Sequence, residues 1–440
     1  MTLLGRRFFY GWLIVAAGFG SQMLVGMLLF HSFGLYVVEL ERDFGWSKTR
    51  LAIAFSLARV EDGLLGPVQG WLLDRFGPRA VMRVGILIFA GGFVGFSQIN
   101  SLPMFYITFV VMAVGAALGG FLTVTTSIVS WFIRRRTLAV SIGLIGTAVG
   151  GLVQPFVALF LEAYGWRSMA LLSAVIILVV GLPMAQLVRH RPEPYGLLPD
   201  GDTPEQLAAR QTAAEAEGTD EPEINFTLRQ ALRARAFWVI SLAHAAALLV
   251  VSAVMVHFVA HVKESLGYTS SEAASLIAFL TAMTIVGQLA GGWAGDRWSS
   301  RWLIAVCMVA HGVALVVLAV ASALWMVLGF AVLHGLAWGV RGPVILAMRA
   351  EYFGRASYGT IMGFSSLIVM LGMFIGPVFA GVMYDSSGSY ETGFILLAAI
   401  AGAGSLLMLL AQKPGASHPV VAAATTAPPP AVAGATGGGS

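Results

Sequence analysis

The sequence predicts an all-α integral membrane protein with twelve transmembrane helices in two pseudo-symmetric six-helix halves. Of its 440 residues, 58% are hydrophobic and only 11% are charged, far outside the range of soluble globular domains. Twelve apolar stretches are long enough to cross a bilayer, which takes about 20 residues. A short motif also recurs after half the length of the chain, and such a repeat in an apolar protein indicates a duplicated membrane domain.

The predicted spans follow one another at short intervals, apart from one longer polar stretch in the middle. They are 11–38, 49–71, 81–99, 103–131, 137–161, 167–188, 237–262, 272–294, 302–321, 324–347, 359–384 and 391–411. Several of them are longer than the bilayer requires, and such helices must tilt or protrude.

These spans divide the chain into four regions. The regions are an N-terminal half (1–190), a linker (191–236), a C-terminal half (237–411) and a tail (412–440). Within the linker, residues 226–235 predict a basic amphipathic helix on the inner membrane face. The tail is rich in Ala, Pro, Gly and Thr and carries almost no charge, so we expect it to be disordered.

The distribution of basic residues predicts the orientation in the membrane. If both termini are cytoplasmic, 19 of the 26 Lys and Arg residues fall in cytoplasmic segments and five in external ones. Such an excess of cytoplasmic basic residues is typical of membrane proteins. The net charge of +4 is therefore a topology signal and does not indicate a nucleic-acid partner.

Several function classes are disfavoured by what the sequence lacks. With Cys307 as its single cysteine, the chain can form neither an internal disulfide nor a cysteine-based metal site. No phosphate-binding Gly-x-x-x-x-Gly-Lys motif occurs, so we expect no direct use of ATP. No His, Asp and Glu cluster has catalytic spacing, so we expect neither an enzyme nor a cofactor or metal.

The repeated motif places a carboxylate beside arginine where a span ends. It reads Gly-Trp-Leu-Leu-Asp-Arg from Gly70 and Gly-Trp-Ala-Gly-Asp-Arg from Gly292. A carboxylate there can accept hydrogen bonds from a neighbouring helix N-terminus and pair with arginine. We expect either a gate that forms and breaks during transport or a static brace of the loop. The residues concerned are Asp74, Arg75, Arg79, Asp296, Arg297 and Arg301.

These motifs resemble a known family. The motif and its copy are similar to the loop signature of the major facilitator superfamily. The pattern Trp131-Phe-Ile-Arg-Arg-Arg, Gly150-Gly151, Pro155 and Tyr164-Gly-Trp-Arg resembles its monocarboxylate transporter and oxalate/formate antiporter branch. Tyr10-Gly-Trp and the linker sequence Pro-Glu-Pro-Tyr-Gly resemble bacterial members. The resemblance implies a major facilitator fold in a bacterial cytoplasmic membrane, with spans 1, 4, 7 and 10 lining a central cavity.

Span 2 carries three ionisable residues at membrane depth. Arg59 and Asp62 are three positions apart, so they share a helical face and could pair. Glu61 lies elsewhere around the helix and is a candidate proton carrier. The alternative is a buried network that ties span 2 to span 11.

Span 10 carries His334, Trp338 and Arg341, spaced so that they form one stripe along the helix. On a cavity-lining helix, such a stripe suits a carboxylate with a small apolar body. The alternatives are a buried, hydrogen-bonded His334 and an Arg341 paired with a carbonyl or carboxylate.

The comparison with the branch adds two positions. Its members often carry a lysine in span 1, followed by serine, and a glutamate eight residues later; this chain has His31, Ser32 and Glu39. A histidine there could carry a proton. In span 8 the branch's usual arginine and aspartate are replaced by Gln288 and Thr284.

The sequence therefore predicts a monomeric secondary transporter of a small mono- or dicarboxylate, coupled to protons, with anion exchange as a variant. Either Arg341 or Arg59 replaces the missing arginine, or the substrate is not a simple monocarboxylate. The predicted substrate-binding residues are Arg341, His31, Arg59, Gln288, His334 and Trp338. The predicted proton-coupling residues are His31, Glu61 and Asp62. The rival functions are export of a neutral or cationic amphiphile and a transporter-like sensor that binds ligand without moving it.

Overall fold

The computed structural model describes residues 2–3, 6–7, 9–216 and 224–414. The helices keep the span numbers used above. Spans 1 to 6 are Gly11–Phe44, Lys48–Phe76, Pro78–Ser97, Leu102–Trp131, 136–164 and 166–187. Spans 7 to 12 are Arg235–Glu264, Ser270–Gly295, Ser300–Ala319, Leu324–Phe353, Tyr358–Ser387 and Glu391–Leu409. The predicted fold class, with its twelve helices, is confirmed for the part of the chain that is described.

Ten helical segments within the described residues are long and apolar enough to cross a membrane. Span 2 is not among the ten, because Arg59, Glu61 and Asp62 interrupt its apolar stretch. Spans 5 and 6 are counted once, as the continuous helical segment Gln154–Leu187, which runs past the loop that the sequence predicts between them. The break lies at Gly165, whose φ of 79° is accessible to glycine at little cost. Span 5 is itself interrupted at Val153, between the helices Arg136–Leu152 and Gln154–Ile176.

The linker contains short helices. These are the 3-10 turns Glu193–Tyr195 and Pro199–Gly201 and the α-helices Pro204–Ala216 and Leu228–Arg233. The last of these begins with a capping box, in which the Thr227 hydroxyl accepts from the backbone N–H of Gln230. The predicted regions 191–236 and 412–440 extend into residues 217–223 and 415–440, which lie outside the described residues. Ahead of span 1, Thr2–Leu3 pairs with Arg6–Arg7 as a two-residue antiparallel ladder.

The two halves approach each other closely along two helix pairs, span 2 with span 11 and span 5 with span 8. A Cβ atom added to Gly66 would lie 2.8 Å from the carbonyl oxygen of Gly363, and one added to Gly292 would lie 3.0 Å from the Cα of Leu138. Glycine at these positions allows two helix backbones to touch, as is typical of membrane helix pairs.

The apolar core is divided unequally between the halves. One buried cluster, which includes Phe93, Phe96 and Phe105, belongs to the N-terminal half alone. The larger cluster fills the C-terminal half and continues into the N-terminal half around Trp131 and Phe132. Both of these residues lie at the end of the bundle that also holds the start of span 1 and the end of span 12. We call this end the terminal face; here the two halves share a core.

Candidate functional site

The terminal face is closed by two hydrogen-bonded contacts between the halves. Asp74, near the end of span 2, accepts from the backbone N–H groups of Gly359 at 3.2 Å and Thr360 at 2.8 Å. These amides lie in the first turn of span 11, which begins at Tyr358. The first turn of a helix has free N–H groups and a partial positive charge, so a carboxylate is stabilised there.

The second contact repeats the first with the halves exchanged. Asp296, directly after span 8, accepts from the N–H groups of Thr137 at 2.8 Å and Leu138 at 3.2 Å, in the first turn of span 5. Burial raises the pKa of Asp296 above its usual range, although the bonds from Thr137 and Leu138 act to lower it. The cost of burying the carboxylate therefore opposes the gain from its hydrogen bonds.

The arginines of the loop motif bond within their own half. The Arg79 Nε donates to the Val188 carbonyl at 2.8 Å, and an Arg297 Nη donates to the Trp293 carbonyl at 3.0 Å. Arg301 reaches the Ala411 carbonyl at 3.5 Å. Arg75 is exposed. Among the described residues, neither aspartate forms an ion pair with its neighbouring arginine.

The linker adds a second layer of contacts over the terminal face. The Asp200 carboxylate accepts from the backbone N–H of Arg134 at 3.1 Å. The backbone of Asp200 has a φ of 60°, which a non-glycine residue rarely adopts. On the other half, Glu193 pairs with Arg355 at 2.7 Å. The Arg355 guanidinium also donates to the Ser130 carbonyl at 2.9 Å, so the linker touches both halves where they meet.

A cluster of basic side chains lies inside the C-terminal half. Arg341 is 1% exposed, and its Nε and Nη1 atoms have no hydrogen-bond partner among the residues that the structure describes. Eight residues later, Arg349 is 2% exposed and donates to His244 at 3.0 Å and to Ser365 at 2.9 Å. Within the described part of the chain, neither guanidinium forms an ion pair. Two uncompensated cations at this depth are costly unless a ligand supplies the negative charge.

A buried histidine pair adjoins this cluster. His334 of span 10 and His311 of span 9 face each other with their Nδ1 atoms 3.1 Å apart. One Nδ1 must carry a proton and the other must accept it. The His334 ring also stacks on Phe330, at 5.1 Å between ring centroids.

A comparison with known families identifies the chain. The sequence profile of the Major Facilitator Superfamily matches residues 14–260 and 240–435. The chain belongs to this superfamily.

Curated relatives point to one branch of the superfamily. The chain is 26% identical over 406 residues to rat monocarboxylate transporter 13, covering 91% of this chain and 89% of the relative. It is 27% identical over 420 residues to human monocarboxylate transporter 11, covering 91% and 82%. The resemblance to monocarboxylate transporters that the sequence predicts is confirmed.

Solved structures of the superfamily share the fold. The proton:xylose symporter XylE aligns with a TM-score of 0.71 at 16% identity, over 92% of this chain and 96% of that one. The human organic anion transporter MFSD10 aligns with a TM-score of 0.66 at 17% identity, over 90% and 99%. As a major facilitator protein, the chain is a multi-pass membrane protein and a secondary transporter of a small molecule. It is not an enzyme.

The predicted site residues of this transporter are dispersed. His31 is exposed, and its Nε2 donates to the Thr147 carbonyl of span 5 at 3.1 Å. His31 directly follows a π-helical turn, Gly26–Phe30. Within this turn, the Met27 carbonyl accepts a hydrogen bond from the Gln154 side chain at 2.8 Å. Such irregular backbone within a membrane helix needs polar partners. His31 therefore has a structural partner in its own half.

The remaining predicted residues lie on spans 2, 8 and 10. Glu61 is half-buried, and the side chains of Arg59 and Asp62 lie outside the described residues. The Oε1 atom of Gln288 is buried and meets no hydrogen-bond donor among the described residues, and Trp338 is half-buried against the large apolar cluster.

Arg349 is not among the site residues that the sequence predicts. Arg349 was assigned to a cytoplasmic loop because span 10 was expected to end at residue 347. The helix instead continues to Phe353 and ends at Gly354, whose φ is 77°. Reading the helix as far as that glycine stop signal would have placed Arg349 inside it.

Proposed function

We propose that this transporter carries a small organic anion, a mono- or dicarboxylate, with Arg341 as its anchor. The observation that supports this most strongly is the buried Arg341 guanidinium, with two nitrogens that bond to nothing among the described residues. A carboxylate can occupy two parallel N–H groups of one guanidinium. The names of the curated relatives agree with this substrate class.

The cycle that fits this site is alternating access. Both termini lie in the cytoplasm in this proposal, so the described conformation is closed towards the cytoplasm by the Asp74 and Asp296 contacts. Opening requires both carboxylates to leave the helix N-termini of the other half. The rocking of two similar halves about a central site is the design of this transporter class.

Proton coupling is part of the same proposal. His31, Glu61 and Asp62 are the groups that we assign to it, because they are titratable and lie at membrane depth on spans 1 and 2. A proton carried with a monocarboxylate makes transport electroneutral. If Arg341 proves to be structural, Arg59 is the alternative anchor for the carboxylate.

The proposal also includes the setting of the protein: the transporter acts as a monomer in a bacterial cytoplasmic membrane.

One observation favours a different substrate, namely Gln288 in place of the branch's span 8 arginine. It would suit an exporter of neutral or cationic amphiphiles. The two uncompensated guanidinium groups in the C-terminal half argue against a cationic substrate, because they would repel its positive charge.

Uptake by the purified protein in proteoliposomes tests the proposal. The substrates are radiolabelled acetate, lactate, pyruvate and oxalate, each with and without an imposed pH gradient. We expect saturable uptake of at least one, faster with an inward proton gradient. Binding without uptake would indicate a sensor, and uptake of none would remove the carboxylate assignment.

A further inference from the structure

Arg349 has a polar environment that its packing role does not explain. One of its Nη atoms donates to His244 Nδ1 of span 7 and to Ser365 Oγ of span 11. Ser365 in turn lies 2.9 Å from the Ser241 hydroxyl of span 7. The other Nη atom is buried and has no hydrogen-bond partner in the described part of the chain.

The partners of Arg349 are all neutral. A guanidinium can only donate, so His244 accepts at Nδ1 and carries its proton on Nε2. Within the described residues, Arg349 has no carboxylate within ion-pair distance. A neutral side chain could link spans 7, 10 and 11 without the cost of burying a cation. The charge therefore indicates a ligand of opposite sign.

The position of Arg349 lies on a path from Arg341 to the terminal face. Eight residues of helix separate the two arginines, which is about 12 Å along the axis. Span 10 ends at Phe353, four residues beyond Arg349, and span 11 begins at Tyr358, next to the Gly359 and Thr360 backbone N–H groups that donate to Asp74.

We infer that Arg349, with Ser365, Ser241 and His244, forms a second carboxylate-binding subsite between Arg341 and the terminal face. The free Nη atom of Arg349 and the one hydroxyl of the Ser241–Ser365 pair that does not donate to the other are the donors for the carboxylate. The anion is held there after it leaves Arg341 and before it is released when the Asp74 and Asp296 contacts open. This inference rests on the proposed function, since it requires an anionic substrate.

Transport measured separately from each face tests the subsite. The probe is whichever of acetate, lactate, pyruvate and oxalate the parent protein exchanges fastest in right-side-out and inside-out vesicles. Protease access to a C-terminal tag shows which face is outermost. Arg349→Gln should raise the KM at the terminal face about tenfold, as expected for one lost charge-assisted bond, and change the KM at the opposite face less than about twofold.

Three further variants make the result specific. Ser365→Ala removes a hydroxyl and no charge, so it should shift the same KM in the same direction by a smaller factor. Arg341→Gln should raise the KM at both faces. Arg229→Gln removes a charge from the exposed surface of the linker and serves as the matched control.

The outcomes separate the subsite from the proposed function. Equal KM changes at both faces in Arg349→Gln, or no change at either, would overturn the subsite while leaving the carboxylate transporter intact. Should Arg349→Gln not fold, Ser365→Ala and Arg349→Lys decide in its place, and an unchanged terminal-face KM in both overturns the subsite. If the folded parent exchanges none of the four carboxylates, the proposed function and the subsite fail together.

Discussion

Asp74 and Asp296 lie 222 positions apart in the sequence, and each accepts two backbone N–H groups from a helix of the opposite half. Their partners are separated by the same distance, because Thr137 corresponds to Gly359 and Leu138 to Thr360. The sequence repeat is therefore also a repeat of contacts, with the two halves exchanging roles.

Removing either charge should favour opening of the terminal face. Asp74→Asn or Asp296→Asn replaces charge-assisted bonds by weaker neutral ones, a difference of about 1 kcal/mol or more. We expect each to raise the open-to-closed ratio about fivefold or more, with nearly multiplicative effects in the double variant. Spin labels at the exposed positions 133 and 298, in a Cys307→Ala background, report the distance across this face. Unchanged distance distributions in the double variant would show that these contacts are a static brace.

The fold was predictable to a large extent from sequence, and the gate in part. Apolar lengths and the repeated motif are strong local signals, and they led to twelve helices and to Asp74 and Asp296. The motif does not say which atoms the carboxylates meet. The structure pairs them with backbone amides, while the neighbouring Arg79 and Arg297 bond to carbonyls of their own half.

The basic cluster was less predictable because it depends on tertiary contacts. The stripe of His334 and Arg341 follows from helical spacing, but its meeting with His311 depends on how spans 9 and 10 pack. Arg349 was missed because a charged residue near a predicted helix end is normally assigned to the loop. Its burial becomes evident only when the helix is followed to Gly354.

The predicted orientation of the protein determines from which side of the membrane an introduced cysteine can be labelled. Single cysteines at Ala213 in the linker and at Ser387, the last residue of span 11, lie at opposite ends of the bundle, and both positions are exposed. In a Cys307→Ala background, an impermeant maleimide should reach position 387 in intact cells and position 213 only after lysis. Labelling of both positions in intact cells would contradict the twelve-span topology with cytoplasmic termini.

Acidification should weaken the packing of the linker against the N-terminal half, through His190, the residue that directly precedes the linker. Burial lowers the pKa of His190 from 6.5 to about 4, with a smaller contribution from the Arg191 charge. Between pH 6.5 and about 4, the His190 ring stays neutral while it is packed but takes up a proton when it is exposed to water. The packed arrangement therefore loses stability relative to the unpacked one as the pH falls from 6.5 towards 4. Spin labels at exposed positions 80 and 207 should move apart at pH 5 relative to pH 7.5 in the parent.

The matched variant for this prediction is His190→Gln, which cannot titrate. Its label distances should be the same at both pH values. A pH-dependent distance in His190→Gln as large as that in the parent would assign the effect to another group.

Proton coupling should depend on the titratable residues of spans 1 and 2. Glu61→Gln or Asp62→Asn should abolish uptake driven by a pH gradient while leaving counterflow at equal pH within about threefold, because co-transport needs a site whose proton affinity changes with substrate binding. His31→Gln should weaken gradient-driven uptake, because it removes one of the three groups that we assign to proton coupling. Full gradient-driven uptake by all three variants would place the proton site elsewhere or make the protein a pure exchanger.

Carboxylate binding at Arg341 tests the account most directly. The measurement is equilibrium binding of the best radiolabelled carboxylate to the purified parent, Arg341→Lys and Arg341→Gln in nanodiscs, with thermal unfolding as the check on folding. Lysine keeps the charge but not the two parallel donors, so we expect affinity to fall about tenfold or more in Arg341→Lys. In Arg341→Gln we expect binding to fall below detection. Parent-like affinity in a folded Arg341→Gln would contradict the account and move the anchor to Arg59.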